Sequence, residues 1–481
     1  MIKLIGNELK KIFKKKTIYI LLIITFGYIL LSNIMIKATD NGYSRYYYYE
    51  GDLEIYEEMM SELDLEDPLE RAQYIDTKND IELGKLTKKY GNDSWQAYVI
   101  NNMLTPYLHT ILSYEYSDEV SEEEYNEAKK YYDDAIQKMD ADDWRSFVNE
   151  DLEKINNSLE EQYKLKETET NEQVLASIES TIYDLEIQKQ VDEWRLEKDI
   201  SYAPSFLNEA LETYYGAQTA LKDAQNGNYP QEIEQYNSLL EQANLNKYYI
   251  DNNLSLDSNN REIFLNLFSQ YELFILIIGI VIAGSIVSEE FNRGTIKLLL
   301  VKPYTRVKIL LAKFIAVMIV LVMSIVFIAI CQVIIGTLVF GFEGLTIPAI
   351  VYNFNTNTVE TINIFAYVAL IGICKLPIYV LLTTLAFTCS TLFTNTALAV
   401  SIPFLGYIAA PLLNQLAIAY KIKAITYFVT PNWDLSTYLF GGTPMFQGLT
   451  MPFSIAICAI YLAIMLILSC VVFKKRDIKN I

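Results

Sequence analysis

The sequence predicts an all-α polytopic membrane protein with six transmembrane helices and a large, mainly helical extracytoplasmic domain inserted between the first two of them. Of its 481 residues, 52% are apolar, yet the formal net charge is −20. Residues 37–262 hold 51 acidic and 20 basic residues, whereas the remaining chain holds 8 acidic and 19 basic. The long apolar runs all lie outside this acidic block, and several reach the roughly 20 residues that a bilayer-spanning helix requires.

This segregation excludes a single globular enzyme, a disordered chain and, because the bulk charge has the wrong sign, a nucleic-acid binder. His109 is the only histidine, so a site built from histidine and cysteine ligands for a metal ion is not expected. The five cysteines lie in apolar runs and are expected to be small buried fillers. We therefore expect neither a catalytic residue nor a metal or cofactor bound by this chain.

The apolar runs predict the six spans and divide the chain into three parts. Residues 1–37 form an interfacial helix and the first span, residues 38–268 the acidic domain, and residues 269–481 the other five spans. The first run is longer than the apolar part of a signal peptide and no cleavage pattern follows it, so we expect it to be retained. The predicted spans are 18–36, 273–288, 309–340, 364–393, 397–413 and 453–473.

Basic residues predict the orientation of these spans. They concentrate in the N-terminal segment, in the segment after span two and in the C-terminal tail, which six spans place on one side of the membrane. We therefore expect both termini in the cytoplasm and residues 38–268 outside it, in a multi-pass protein of a bacterial plasma membrane. Lys421 and Lys423 depart from this rule, because they fall in a predicted outer segment.

Apolar residues recur every three or four positions through much of the acidic domain, which predicts amphipathic helices. Its negative charge has two interpretations. One is a solvated surface that aids solubility, and the other is attraction of cationic partners such as basic antimicrobial peptides. The predicted helices are 95–116, 122–139, 144–164, 171–198, 204–224 and 230–249.

The segment between spans two and three, residues 288–308, is the most informative. Glu289 and Glu290 close span two, and Gly294 releases the chain from that helix. An apolar turn at 295–301 follows, and Thr305 is a candidate cap for span three. This turn either docks on a partner or lies at the membrane interface. Basic anchors at the interface are expected from Arg306, Lys308 and Lys313.

This segment resembles permease subunits of type-2 ABC exporters, in particular bacterial peptide-antibiotic-resistance and sodium-export-like permeases. That family carries an E-x-x-x-G-T segment followed by P-x-[ST]-R, and this chain has Glu290, Gly294 and Thr295, then Pro303, Thr305 and Arg306. The basic start NELKKIFKKKTIYILL is similar to the family's N-terminal interfacial helix. The resemblance covers residues 1–37 and 265–481.

The resemblance implies that residues 293–302 form a coupling helix that docks on an ABC ATP-binding subunit. Two copies of that subunit would bind ATP and Mg, and a second permease copy or a paralogous permease would complete the transporter in the lipid bilayer. No G-x-x-x-x-G-K-[ST] motif occurs, so the chain is not expected to be an ATPase. The residues implied in ATPase coupling are Glu290, Arg293, Gly294, Thr295, Lys297, Leu299, Pro303 and Arg306.

Lys375 is a charged residue inside the fourth predicted span. Its side chain either extends to the membrane surface or takes part in a substrate or proton pathway. For the whole chain, we expect export of an amphipathic or peptide-like substrate, with antimicrobial-peptide resistance as one such role. The alternatives are an ion exporter of the same architecture and a membrane sensor or scaffold whose outer domain binds a ligand.

Overall fold

The computed structural model describes residues 1–39, 50–117, 120–225, 233–256, 258–295, 304–446 and 448–476. The chain is 81% helical, which confirms the predicted all-α class. It divides into two compact units, one formed by Met1–Asp40 with Asp257–Ile481 and the other by Asn41–Leu256. We refer to them as the membrane unit and the helical unit.

Six helices in the described part of the membrane unit are long and apolar enough to cross a bilayer, as the sequence predicts. Each leaves large apolar side chains exposed, for example Leu338, Ile373 and Leu405, and such surfaces suit contact with lipid. Spans one to six are Lys16–Thr39, Leu267–Asn292, Arg306–Phe340, Ile364–Leu392, Thr396–Ala419 and Met451–Lys475.

Span two is the most enclosed of the six and packs against spans one, three, four and five. Small residues allow this close approach. A Cβ atom on Gly279 would lie 2.4 Å from the Thr383 hydroxyl of span four, and one on Gly284 would lie 2.7 Å from Val400 of span five. The shared apolar core includes Ile275, Leu276, Leu321 and Phe387.

An amide pair joins spans one and three inside this core. The Asn33 Nδ2 donates to Gln332 Oε1 at 3.0 Å, and Gln332 Nε2 donates back to Asn33 Oδ1 at 3.1 Å. Tyr271 of span two donates its hydroxyl to the same Gln332 oxygen at 2.6 Å. All three side chains are fully buried, and the reciprocal bonds satisfy polar groups that lipid could not.

The shorter elements of the membrane unit are an amphipathic N-terminal helix, a helix before span two, and a β-hairpin between spans three and four. The hairpin is antiparallel, with Ala349 opposite Ile362 and Asn353 opposite Thr358. The elements are the helices Ile2–Lys14 and Asn259–Leu265, the 3-10 helices Glu343–Thr346, Lys423–Tyr427 and Leu435–Gly441, and the strands Ala349–Asn353 and Thr358–Ile362.

The helical unit is built from helices with side-chain caps at several starts. Asp67 accepts from Leu69 N and Glu70 N, and Ser121 with Glu124 forms a capping box. Its largest core contains Trp95, Phe147 and Val148. The helices are Glu50–Ser61, Pro68–Tyr90, Trp95–Val99, a π-helical Ile100–Leu104, Thr105–Tyr116, Glu122–Asp140, Trp144–Thr168, Glu172–Glu197, Phe206–Gln225 and Ile233–Asp251.

A buried arginine organises part of the helical unit. Arg195 donates to the Ile200 and Ser201 carbonyls at 3.3 and 2.9 Å and to Asn208 Oδ1 at 2.7 Å. Asp192 lies on the same helix and is also buried. Burial raises the pKa of Asp192 to about 7, and the nearby Arg195 charge only partly opposes this shift.

Candidate functional site

The helix of span two is interrupted near its end, and this break sets the position of two carboxylates. The backbone N–H groups of Val287 and Ser288 donate to the Ser390 hydroxyl of span four at 3.2 and 2.9 Å. Ser288 in turn donates its hydroxyl to the Gly284 carbonyl at 2.7 Å. Because the Ser390 hydroxyl of span four accepts from the two backbone N–H groups, these groups have a partner where the helix is interrupted. The chain then continues as the short helix Ser288–Asn292, which carries Glu289 and Glu290.

Four charged side chains meet beside this break, and we call Glu8, Lys11, Glu290 and Lys313 the Glu290 cluster. Lys313 of span three is fully buried, and its Nζ lies 2.8 Å from Glu8 Oε2 and 2.8 Å from Glu290 Oε1. Lys11 lies 2.9 Å from Glu8 Oε1 and 3.0 Å from Glu290 Oε1. The two carboxylates and two ammonium groups therefore balance in charge. Such pairing offsets part of the cost of removing ionic groups from water.

The pKa shifts in the N-terminal helix follow from these contacts. Burial alone raises the pKa of the Glu8 carboxyl, but the charges and hydrogen bonds of Lys313 and Lys11 together outweigh burial and hold that pKa below its ordinary value. Burial lowers the pKa of Lys11, but its bonds to Glu8 and Glu290 reverse the effect and leave that pKa raised. Both shifts favour the charged forms, so the Glu290 cluster is an ionic junction.

A pocket of about 750 Å³ opens beside the Glu290 cluster. On its rim Glu289 pairs with Lys15 and, at 2.5 Å, with Arg293. Gly294 has a φ of +68°, a conformation that glycine adopts without strain, and it ends the short helix. The pocket is lined by Glu8, Lys11, Ile12, Lys14, Lys15, Lys16, Thr17, Ser285, Ile286, Glu289, Glu290, Arg293, Thr295 and Lys313.

The structure brings together four of the residues that the resemblance implicates in ATPase coupling, because Glu290, Arg293 and Thr295 line this pocket and Gly294 lies between the last two. Arg306 lies elsewhere at the same end of the unit, where its guanidinium donates to the Lys474 and Arg476 carbonyls at 3.1 and 3.0 Å. Lys297, Leu299 and Pro303 lie outside the described residues.

Thr305 caps span three as expected, since its hydroxyl accepts from Lys308 N at 3.4 Å. Lys313 was expected to be a basic anchor at the membrane interface, but its side chain is fully buried. Its ammonium is enclosed because Glu8 and Glu290 converge on it from two other helices. We call the end of the membrane unit that holds the Glu290 cluster, Arg306 and Lys474 its basic end.

A second group of charges lies in the half of the membrane unit opposite the basic end, and we call Glu272, Lys375, Tyr407 and Asp434 the Lys375 cluster. The Lys375 Nζ lies 3.2 Å from Glu272 Oε2 and 3.1 Å from Asp434 Oδ2. The Tyr407 hydroxyl donates to Glu272 Oε1 at 2.9 Å. The Lys375 side chain is 13% exposed, so it is held by two carboxylates and does not extend to the surface of the unit.

Sequence reasoning missed most members of both clusters. Glu8 carried a usable signal, since it is the one acidic residue among the six lysines that precede span one. Glu272 carried another, because it is an isolated carboxylate at the start of an apolar run. Tyr407 and Asp434 had no local signal, because Tyr407 meets Glu272 and Asp434 meets Lys375 only through contacts between segments that are distant in the sequence.

The comparisons with known proteins concern mainly the membrane unit. A family model described as "Protein of unknown function (DUF2705)" matches residues 235–479, which include spans two to six. No solved structure matches the chain.

Two Bacillus subtilis (strain 168) proteins are similar to this chain. The uncharacterized protein YhcI is 32% identical over 262 residues, which are 53% of this chain and 83% of YhcI. The uncharacterized membrane protein YdbK is 31% identical over 216 residues, which are 45% of this chain and 82% of YdbK.

Proposed function

The chain belongs to the DUF2705 family of proteins of unknown function, and we propose that it is the permease subunit of a type-2 ABC exporter. In this proposal it forms the translocation pathway for an amphipathic or peptide-like substrate. A separate ATP-binding subunit hydrolyses ATP, and a second permease copy or a paralogue completes the assembly.

The observation that carries the proposal is the Glu290 cluster. Residues 293–302, the docking segment predicted from the sequence, begin with Arg293 at the pocket and precede span three, which begins at Arg306. Lys313 of span three forms ion pairs with Glu290 near the end of span two and with Glu8 of the N-terminal helix. A force applied to the docking segment would therefore reach these three elements together, as coupling of ATP hydrolysis to transport requires.

The orientation of the chain in the membrane is inferred from the basic end. Lysines and arginines of the N-terminal helix, the span-two terminus and the span-six terminus share this end of the unit, so it is assigned to the cytoplasm by the positive-inside rule. The segment between spans one and two, which lies within residues 38–268, is then extracytoplasmic. Protease added to intact protoplasts should cut in this range and leave the C-terminal tail intact, whereas cleavage of the tail from outside would contradict the topology.

The assignment is tested by purifying the tagged full chain from its native membrane in mild detergent and identifying co-purified proteins by mass spectrometry. We expect an ATP-binding subunit with a phosphate-binding loop. The chain purified without it should not hydrolyse ATP. Sustained hydrolysis by a demonstrably single-component preparation would overturn the proposal.

Leu299→Asp tests the docking segment directly. A charge buried on docking without a partner costs several kcal/mol, so this variant should reach the membrane normally but lose the ATP-binding subunit. Leu69→Asp is the matched control, because Leu69 is 82% exposed on a helix of the helical unit. A Leu299→Asp protein that retains the subunit and transports at the normal rate would contradict docking at this segment.

A further inference from the structure

The charges of the Lys375 cluster do not balance. Glu272 and Asp434 supply two carboxylates, whereas Lys375 supplies one ammonium group, so the formal charge is −1 when all three are ionised. The side chains of Glu272 and Asp434 are only 15% and 32% exposed. An uncompensated negative charge in such surroundings is costly, and a second cation bound nearby would relieve that cost.

Tyr379 supplies an independent observation that points to a ligand. It lies one helical turn after Lys375 on span four, and its side chain is fully buried. Its hydroxyl has no hydrogen-bond partner in the described part of the chain. That hydroxyl is close enough to Glu272, Asp434 and Tyr407 to interact with them electrostatically. A buried hydroxyl without a partner is costly, and a bound donor would remove part of this cost.

We propose that the Lys375 cluster, together with the Tyr379 hydroxyl, binds the primary ammonium group of an organic ligand. The contacts of Lys375 show that the two carboxylates can accept from an ammonium group, because the Lys375 ammonium donates to Glu272 and Asp434 at 3.2 and 3.1 Å. The ligand ammonium binds beside it, donates to the carboxylates and the Tyr379 oxygen, and brings the formal charge to zero. The Asp434 side chain is one-third exposed, so the ligand reaches the cluster from the side of Asp434.

The chemistry favours an organic ammonium over a metal ion. In the described residues no group of three or more His, Cys, Asp and Glu side chains lies close enough to hold a metal. The oxygens of the cluster are arranged for N–H and O–H donors, since Tyr407 already donates to Glu272 at 2.9 Å and Ser436 N to Asp434 at 3.0 Å. Apolar side chains such as Phe268, which packs on Tyr379, suit the carbon portion of a ligand.

Binding of an ammonium group at the Lys375 cluster does not depend on transport. A second statement rests on the proposed function: if the chain is an exporter, its substrates are cationic amphiphiles that carry a primary amine. Binding is measured on the purified chain alone, so failure to find an ATP-binding subunit would leave this test intact, and failure of binding would leave the permease proposal intact.

The experiment is equilibrium binding of radiolabelled decylamine to the purified full chain in a non-ionic detergent at pH 7. Decanol and decyltrimethylammonium serve as comparison probes. Decylamine should saturate one site per chain, whereas decanol lacks the charge and decyltrimethylammonium lacks N–H donors, so both should bind at least about tenfold more weakly. Equal binding of the three probes would overturn the proposal.

Variants test the charge argument in both directions. Glu272→Gln and Asp434→Asn each leave Lys375 one carboxylate, so they should fold, and the neutral cluster should bind decylamine about tenfold or more weakly. Lys375→Met takes the cluster to −2 and should strengthen binding, and Lys375→Met combined with Asp434→Asn returns it to −1 and should restore near-normal binding. Tyr379→Phe should weaken binding by several-fold through loss of one acceptor.

Lys423→Met is the matched control for Lys375→Met, because Lys423 is exposed and lies outside the cluster. Gel filtration checks that each variant is folded, and the charge-conserving double variant covers the case in which Lys375→Met alone is unstable. Unchanged affinity in Glu272→Gln and Asp434→Asn would disprove the site. Displacement of decylamine by millimolar Na⁺, but not K⁺, would assign the cluster to an inorganic ion and also overturn the proposal.

Discussion

The Glu290 cluster and the Lys375 cluster are both ionic, and each contains a lysine with little exposure, but the two clusters differ in charge balance. The first pairs two carboxylates with two lysines, and its Lys313 is fully buried. The second surrounds one lysine with two carboxylates and leaves the nearby Tyr379 hydroxyl without a partner in the described residues. A cluster with balanced charges can hold helices together permanently, whereas the proposed ammonium ligand would balance the charge of the second cluster. The proposal therefore treats the first cluster as a structural junction and the second as a binding site.

Lys313→Met should have the largest effect, because it leaves the carboxylates of Glu8 and Glu290 without their buried cation. Removing one partner of a buried ion pair costs about 3–5 kcal/mol. Thermal unfolding of the solubilised full chain should therefore shift clearly downward. Lys308→Met, on the exposed side of the same helix, should leave the transition unchanged. Equal stability of the two variants would show that the Glu290 cluster is not a junction.

Asp192 shows how a buried carboxylate behaves when burial outweighs its neighbouring cation. Its pKa is raised to about 7, so its contribution to stability is complete below the unfolded pKa of about 3.9 and is lost as pH rises through 7. Unfolding of a fragment spanning residues 41–256 should lose roughly 2–3 kcal/mol between pH 5 and pH 8. Fluorescence of Trp95, Trp144 and Trp194 can follow the transition. Asp192→Asn should abolish this pH dependence, and an unchanged slope would refute the assignment.

Glu8→Gln should give a smaller effect of about 1–2 kcal/mol, because Lys313 and Lys11 both keep Glu290. The pH dependence has the opposite sign to that of Asp192. The pKa of Glu8 is lowered, so its contribution is present above the unfolded pKa of about 4.3 and is lost as pH falls below it. Acid unfolding of the full chain should begin at higher pH in Glu8→Gln, and Lys10→Met on the exposed face of the same helix is the control. A destabilisation equal to that of Lys313→Met would contradict this ranking.

Asp434→Asn should have the smallest effect on stability. This variant distinguishes the Lys375 cluster from the Glu290 cluster most clearly. It brings the Lys375 cluster to neutrality while Glu272 still pairs with Lys375 at 3.2 Å. The thermal transition should therefore stay within about 0.5 kcal/mol of the parent or rise slightly. A loss as large as that of Glu8→Gln would mean that both clusters are structural junctions and that their charge balance carries no functional distinction.

Local pattern was enough to predict the spans, because each is a long apolar run whose character does not depend on distant residues. Thr305 was likewise predictable as a cap, since capping involves residues within one turn. The helix Pro68–Tyr90 was missed because lysines and acidic residues interrupt its apolar periodicity. The β-hairpin formed by Ala349–Asn353 and Thr358–Ile362 was also missed, because no strand was predicted between spans three and four.

Long-range polar contacts explain why the candidate site was predicted only in part. Glu290, Arg293 and Thr295 are close in sequence, so a motif could group them, whereas Lys313 reaches Glu8 across 305 positions. The positive-inside rule counts Lys313 as an interfacial cation and contains no information about which carboxylate it meets. Lys375 was recognised as unusual because a charge stands out in an apolar run, but its two acidic partners come from other parts of the fold.

The amide pair between Asn33 and Gln332 restricts how the membrane unit can change shape. A slide of span one against span three by one helical turn, about 5.4 Å, would break both of its hydrogen bonds at once. No water is available in a bilayer core to replace them, and Tyr271 ties span two to the same oxygen. The amide pair therefore opposes a slide of span one along span three, and a conformational change that keeps these two spans in register preserves both of its hydrogen bonds.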